Sequence, residues 1–140
     1  MAYELIRGTD PRNIREQEYA SNPTIKFTAF TSCIGVIAKE GGTLTGVHLV
    51  MVDRNDKYFG ADARDVPSVI SKLPASADKI TIFGWLEDWR NSPNQTVKNA
   101  FAQLTGTLKE KNVGLYHQSM REDGTYGAEI GKAGEIKITF

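Results

Sequence analysis

The sequence predicts an α+β fold: a layered, largely antiparallel β-sheet, sandwich-like, with two main helices flanking it. Three observations indicate this class. Apolar runs of strand length return mostly through short turns, and two segments have the spacing of amphipathic helices. The order along the chain is strand, hairpin, helix, strand, helix and three further strands. Strands joined by short turns pair antiparallel, and the helices between them bury their apolar sides on the sheet.

A central hairpin is predicted by two runs that are apolar on both of their faces. CIGVIAK (33–39) and GVHLVMV (46–52) have the composition of interior strands. The pair Gly41-Gly42 between them is a two-residue turn signal. If these glycines are the central turn residues, Gly35 faces His48 across the hairpin.

Other strands and two helices surround this hairpin. TIKFTAF (24–30) alternates Ile25, Phe27 and Ala29 with polar residues, as a half-buried strand does. Four further apolar or alternating runs of strand length follow, namely DKITIFGW (78–85), NVGLYHQ (112–118), GTYGAEI (124–130) and GEIKITF (134–140).

Each helix has a predicted start and a predicted apolar side. In ARDVPSVISKL (63–73), Asp65 is the expected N-cap. In the segment 91–111, Ser92 followed by Pro93 and Gln95 predicts a capping box with proline at the first helical position. The residues expected to face the core have helical spacing, and they are Val66, Val69, Ile70, Leu73, Val97, Phe101, Leu104 and Leu108.

The chain of 140 residues is predicted to hold one domain, residues 24–140, after a lead-in at residues 1–23. The lead-in is polar and mixed in charge, with a short helix expected at 12–19. It lacks the apolar core of a secretory signal. We therefore expect a cytoplasmic protein, or one delivered into a target cell without a classical signal peptide.

The composition argues against several classes of function. Seventeen basic residues balance seventeen acidic ones, which argues against a nucleic-acid partner. No apolar run approaches about eighteen residues, so no membrane insertion is expected. The single cysteine excludes an intramolecular disulfide and a cysteine-based zinc site. Four aspartates fit no calcium loop, and we expect no metal and no other cofactor; these are Asp53, Asp56, Asp62 and Asp65.

Cys33 and His48 are the chemically most interesting pair. In the predicted register Cys33 faces Val50, and Cys33 and His48 become diagonal neighbours on one face, roughly 7 Å apart at Cβ. Gly35 opposite His48 is expected to leave the imidazole room to lean toward the sulfur. A neighbouring imidazolium lowers the pKa of a thiol and makes it nucleophilic. The alternative is that both are buried core residues, which is common for each residue type.

TAFTSCIGVIA (28–38) followed by GVHLVM (46–51) resembles the CheD-type protein-glutamine deamidases. In that family a threonine, a short loop and Gly-Ser-Cys precede an apolar strand, and a second strand carries the histidine. The cytotoxic necrotizing factor toxins have the same cysteine–histidine arrangement on a similar fold. The resemblance extends over residues 24–140 through the order of the elements. The chain departs from the pattern at Thr31, where the family has glycine.

The resemblance implies that the protein deamidates a glutamine side chain of a partner protein. Cys33 would be the nucleophile, His48 the base and Thr28 the third member, with Thr31 as the alternative. Backbone N–H groups around Ser32 would stabilise the oxyanion.

Two other side chains, those of Trp85 and His117, are candidates for a role. Trp85, at the end of a predicted core strand, either walls a substrate cleft or packs in the core. His117 is expected at an edge or surface position.

Three other functions remain open on the sequence. A transglutaminase-like amine transfer uses the same residues, and so does a cysteine amidohydrolase acting on a small amide. A non-catalytic binding module of the same fold keeps the hairpin but buries Cys33.

Overall fold

The computed structural model describes residues 3–111, 114–120 and 122–140, and these form nine strands and three helices. The strands are β1 (Ile6–Arg7), β2 (Glu18–Asn22), β3 (Ile25–Lys26), β4 (Ile34–Glu40), β5 (Thr43–Leu49), β6 (Lys79–Gly84), β7 (Gly114–Ser119), β8 (Gly127–Ile130) and β9 (Ile136–Thr139). The helices are α1 (Asp65–Lys72), α2 (Leu86–Arg90) and α3 (Gln95–Glu110).

The strands form two sheets. The larger has six strands in the order β1-β2-β5-β4-β6-β7, and the smaller has three in the order β3-β8-β9. Pairing is antiparallel except for β1 with β2 and β6 with β7, which are parallel. The predicted fold class, a layered and largely antiparallel α+β fold, is confirmed.

The large sheet lies between the small sheet and the helices. A Cβ atom at Gly46 of β5 would lie only 2.6 Å from Ile25 Cδ1 and 2.8 Å from Phe27 Cζ, so the segment of β3 covers this face. Because β5 is bonded along both edges, α1, which also contacts β5, must lie on the opposite face. The core therefore fills both sides of the large sheet.

The predicted hairpin register is confirmed. Glu40 pairs with Thr43 and Gly35 pairs with His48, with Gly41 in the left-handed region at φ 58°. Glycine adopts that conformation without a Cβ penalty, which is why the Gly-Gly pair sets the turn. All residues of β4 and β5 are buried except the two nearest the turn, Glu40 and Thr43.

The short helix expected at 12–19 is wrong. Ile14 forms a bridge with Phe27, and β2 begins at Glu18 and pairs with β5. The reason is that the outer edge of β5 needs hydrogen-bond partners, and the backbone of this segment supplies them. The lead-in thus contributes two strands to the large sheet.

Both predicted helix starts are wrong, although the apolar stripe of α3 is confirmed. The N-cap of α1 is Arg64, and Asp65 instead accepts hydrogen bonds from the backbone N–H groups of Tyr3 and Gly60. The cap of α3 is Asn94, whose side chain accepts from Val97 N at 3.1 Å.

Smaller differences concern single elements. The predicted strand at 24–30 is reduced to β3, and Ala29 is exposed while Phe30 is buried. The sequence did not predict α2. The first two residues of the strand predicted at 112–118 lie outside the described residues. Within the described ranges, no helix has the length and apolar character needed to cross a lipid bilayer.

Candidate active site

Cys33 lies immediately before β4 and is only 3% exposed. Its carbonyl accepts the backbone N–H of Trp85 at 3.0 Å, and the carbonyl of Ser32 accepts the indole N–H of Trp89 at 2.8 Å. Two hydrogen bonds thus attach the cysteine loop (Ser32 and Cys33) to α2 and to Trp85, the residue that precedes α2.

The imidazole of His48 is completely buried and is held through one nitrogen. Nδ1 lies 2.9 Å from the carbonyl oxygen of Ile14 and 3.4 Å from Thr28 Oγ1. A carbonyl can only accept, so Nδ1 carries the proton in the neutral ring. Nε2 then bears a lone pair, and it has no hydrogen-bond partner among the described residues.

Aromatic rings enclose this imidazole. The ring centroids of Phe30 and Phe27 lie 4.7 Å and 5.7 Å from that of His48. The expectation that Gly35 leaves free space beside His48 is wrong, because a Cβ atom at Gly35 would lie 2.4 Å from Phe83 Cε1. The glycine makes room for the Phe83 ring.

The structure brings Cys33 and His48 to the same end of the hairpin without bonding them. Strand pairing ends at Ile34 with Leu49, so the expected pairing of Cys33 with Val50 is absent from the ladder. The Tyr3 hydroxyl instead accepts from Val50 N at 2.8 Å and donates to Val50 O at 2.9 Å. In the described part of the chain no hydrogen bond joins the sulfur to the imidazole.

Burial sets the protonation of both groups. It raises the pKa of Cys33 to about 11, the Glu16 carboxylate raises it further, and backbone hydrogen bonds from Thr31 and Ser32 oppose this. Burial lowers the pKa of His48 to about 4, against the hydrogen bond to Ile14. At neutral pH the pair is therefore a thiol and a neutral imidazole, not the thiolate and imidazolium that the sequence suggested.

The other predicted site residues fall into two groups. Thr28 reaches His48, as predicted for a third member, but Thr31 makes no hydrogen bond to the imidazole. Thr31 and Ser32 are exposed at the surface beside Cys33.

Trp85 is half-buried and packs against the core, and it also lines a surface cleft of about 300 Å³ with Glu87, Asp88 and Met120. Its indole Nε1 is buried without a hydrogen-bond partner among the described residues. His117 is exposed on β7, and its pKa is lowered by partial burial and by the nearby Arg90.

Sequence reasoning missed the contribution of the N-terminal segment. The carbonyl of Ile14 accepts a hydrogen bond from His48 Nδ1, and the carboxylate of Glu16 raises the pKa of Cys33. The Tyr3 hydroxyl donates a hydrogen bond to the backbone carbonyl of Val50. A backbone carbonyl has no signature in a sequence. The long separation of these residues from the hairpin gave no further signal.

Two of the aspartates after β5, Asp53 and Asp65, bind backbone N–H groups, and Asp62 forms an ion pair with Arg64. Asp53 Oδ1 accepts the N–H groups of Asn55 and Lys57 at 2.8 and 2.9 Å. In the ranges that the structure describes, no group of three or more histidine, cysteine, aspartate or glutamate residues is placed to hold a metal ion.

In comparisons with known proteins, no family model matches this sequence and no curated protein matches it significantly.

Proposed function

We propose that the protein is a cysteine-dependent protein-glutamine deamidase in which Cys33 is the nucleophile and His48 the base. The observation that carries the proposal is the state of the His48 ring. It is fixed through Nδ1 by Ile14 and Thr28, while Nε2 has no hydrogen-bond partner in the part of the chain that the structure describes.

An unpaired buried nitrogen is costly to a fold. Leaving a buried polar group without a partner costs about 1–3 kcal/mol, and such groups are rare in native proteins. A catalytic base has a reason to bear that cost, since its lone pair must be free to take a proton. The buried position next to the cysteine loop supports this reading of His48.

The reaction begins with transfer of the Cys33 thiol proton to His48 Nε2. The thiolate then forms a bond to the carboxamide carbon of a glutamine side chain. The C–N bond breaks as His48 returns the proton to the leaving ammonia, and a thioester remains. Water gives a proton to His48 and attacks the thioester, which releases glutamate and restores the thiol.

Access to the sulfur is the demanding step of this mechanism. Because Cys33 is 3% exposed, a glutamine side chain reaches the sulfur only after a local opening that uncovers it. Backbone hydrogen bonds of Thr31 and Ser32 lower the pKa of Cys33, which makes their N–H groups the candidate donors for an oxyanion. The partner protein would supply the energy for this opening by binding.

A non-catalytic binding module is the second candidate, and the burial of Cys33 favours it. A thiol whose pKa is raised to about 11 is almost entirely protonated at neutral pH, as an inert core cysteine is. Under this alternative Cys33 and His48 serve only the packing of the hairpin.

The deciding experiment is alkylation of Cys33 by iodoacetamide, which ends in a carboxamide as glutamine does. The chain has one thiol, so a single added mass reports one site. The rate is measured against pH in the wild type, in His48→Gln, and in His117→Gln as the matched control at the other histidine. The proposal predicts a rate at least about tenfold lower in His48→Gln and unchanged in His117→Gln.

A second variant guards against loss of folding in His48→Gln. Thr28→Val removes a hydroxyl but leaves the Ile14 carbonyl on Nδ1, so a smaller decrease is expected. Labelling that proceeds only as fast as global unfolding, equally in all variants, would overturn catalysis and leave the binding module. Conversion of glutamine to glutamate in lysate proteins by the wild type, but not by Cys33→Ser, would identify the deamidase directly.

A further inference from the structure

A second cleft lies on the large sheet, away from Cys33. It has a volume of about 560 Å³ and lies between β7 and β9. Each of these strands is the last in its sheet, and no described strand pairs with the outer edge of either. The cleft is therefore lined by residues of two strands that each keep one unpaired edge among the described strands.

The lining combines apolar surface with positive charge. Tyr116 is 65% exposed at the mouth. Other lining residues contribute apolar or neutral polar surface, among them Thr81, Leu115, Gln118, Ile136 and Ile138. An exposed tyrosine on an unpaired edge strand is unusual, because open edges of sheets are normally covered or protected by charge.

Lys79 is the important charge in this cleft. It pairs directly opposite Lys39 in the sheet, and like charges in that position repel each other. Asp78 forms an ion pair with Lys39 at 3.0 Å, and its pKa is lowered mainly by Lys39 and to a smaller extent by Lys79. Lys79 itself has no partner within ion-pair distance among the described residues, so its charge is only partly compensated. A bound anion would compensate Lys79.

The two other charged residues of the cleft leave this preference intact. Lys137 lies 3.8 Å from Glu129 with both side chains largely exposed, which is a weak pair. The Glu135 carboxylate lies over the turn at Gly131, since a Cβ atom there would be 1.3 Å from Oε1. The lining therefore favours an acidic partner.

The edge of β7 also leads to the candidate active site. β7 runs parallel to β6, and Ser119 pairs with Gly84. The next residue, Met120, donates its N–H to the Gly84 carbonyl at 2.7 Å and lines the cleft of Trp85. The backbone N–H of Trp85 in turn donates a hydrogen bond to the carbonyl of Cys33.

We propose that the open edge of β7 binds an extended acidic segment of the substrate protein as an added β-strand. Main-chain hydrogen bonds to the edge would give affinity, and Lys79 and Lys137 would select acidic side chains. The part of the substrate beyond the strand then lies near Met120 and Trp85. The role of this strand-addition site in presenting a glutamine rests on the proposed function, whereas the binding of an acidic strand does not.

The test is an NMR titration of the Cys33→Ser protein with a synthetic peptide of alternating valine and glutamate. Amide signals of Tyr116 and Gln118 are expected to shift. A matched peptide of alternating valine and lysine should bind at least about tenfold more weakly, as should the acidic peptide with N-methylated backbone amides. Lys79→Gln should weaken acidic binding about fivefold, and Lys98→Gln on α3 should not change it.

Three results would overturn the inference. These are no shift along β7 with the acidic peptide, equal binding of the lysine peptide, or shifts that follow protein concentration alone. The last would mean that the edge pairs with a second copy of the chain. Because the titrated protein lacks the thiol, its outcome is independent of the alkylation experiment. Binding of the acidic peptide, combined with slow alkylation of Cys33 in the wild type, would overturn the proposed deamidase function and leave the strand-addition site intact.

Discussion

One face of the large sheet is closed at one end and open at the other. Where β5 meets β4, His48 and Gly35 lie under the rings of Phe30 and Phe83. Where β6 meets β7, the same face borders a cleft with Tyr116 at its mouth. The difference has a geometric origin, since a sheet of three strands cannot cover a sheet of six.

The covered end and the open end have different physical capacities. Burial at the covered end fixes one tautomer of His48 and keeps Cys33 protonated. At the open end, backbone groups and Lys79 remain accessible to a partner. The proposed chemistry on β5 and β4 and the proposed recognition on β6 and β7 thus use neighbouring pairs of strands in one sheet.

The largest expected effect contrasts one aromatic residue from each end. Phe83→Ala should lower the free energy of unfolding by about 3–5 kcal/mol, because a fully buried ring is removed. Tyr116→Ala should change it by less than about 0.5 kcal/mol, because that ring is 65% exposed. Urea unfolding of both variants measures this. Similar losses would mean that the cleft is closed in solution.

The second prediction concerns pH. Folding lowers the pKa of His48 from 6.5 to about 4, so the unfolded chain takes up the proton first as the pH falls. The contribution of neutral His48 to the free energy of unfolding is fully present above about pH 6.5. It is lost as the pH falls toward 4, which lowers the free energy of unfolding by about 3 kcal/mol. Unfolding free energies measured across this range should fall less steeply in His48→Gln. His117, whose pKa is lowered less, should reduce the slope only slightly when it is replaced by Gln. An equal slope in all three proteins would contradict the prediction.

The third prediction tests the contact between Gly35 and Phe83. Gly35→Ala should destabilise the fold by about 1–3 kcal/mol, since its Cβ would overlap the ring. The control is Gly106→Ala within α3, where the new Cβ meets no atom within 4 Å. That change should stabilise by about 0.5–1 kcal/mol through helix propensity. Thermal unfolding compares the two, and a neutral Gly35→Ala would show that the ring moves aside freely.

The smallest effect is expected at the open end. Lys79→Gln removes the repulsion with Lys39 and should stabilise the fold by about 0.2–1 kcal/mol. Lys98→Gln, exposed on α3, serves as the control and should be neutral. Raising the salt concentration should reduce the difference in unfolding free energy between Lys79→Gln and the wild type. A loss of stability in Lys79→Gln would indicate that this lysine is already compensated.

Local signals predicted the centre of the fold well. The Gly41-Gly42 turn and the period of two place Gly35 opposite His48, and this depends on no distant contact. The apolar stripe of α3 follows from helical spacing in the same way. Such features are decided by neighbours in sequence.

Features decided by distant contacts were not predictable. Asp65 satisfies the usual description of an N-cap, but its carboxylate binds the backbone of Tyr3, 62 residues away. The sequence predicts free space beside Gly35, but the ring of Phe83, which belongs to another strand, fills that space. The hydrogen bond between His48 and Ile14 uses the backbone carbonyl of Ile14, and because every residue has such a carbonyl, the sequence does not indicate this partner. The candidate pair was therefore predictable, and its protonation and enclosure were not.

The hydrogen bonds of the cysteine loop have a spectroscopic consequence. Both tryptophans of the chain are attached to this loop, Trp85 through its backbone to Cys33 and Trp89 through its indole to Ser32. An opening of the loop at Ser32 would break the indole hydrogen bond of Trp89, whose side chain is fully buried. Intrinsic fluorescence therefore reports the opening of the loop without any added label.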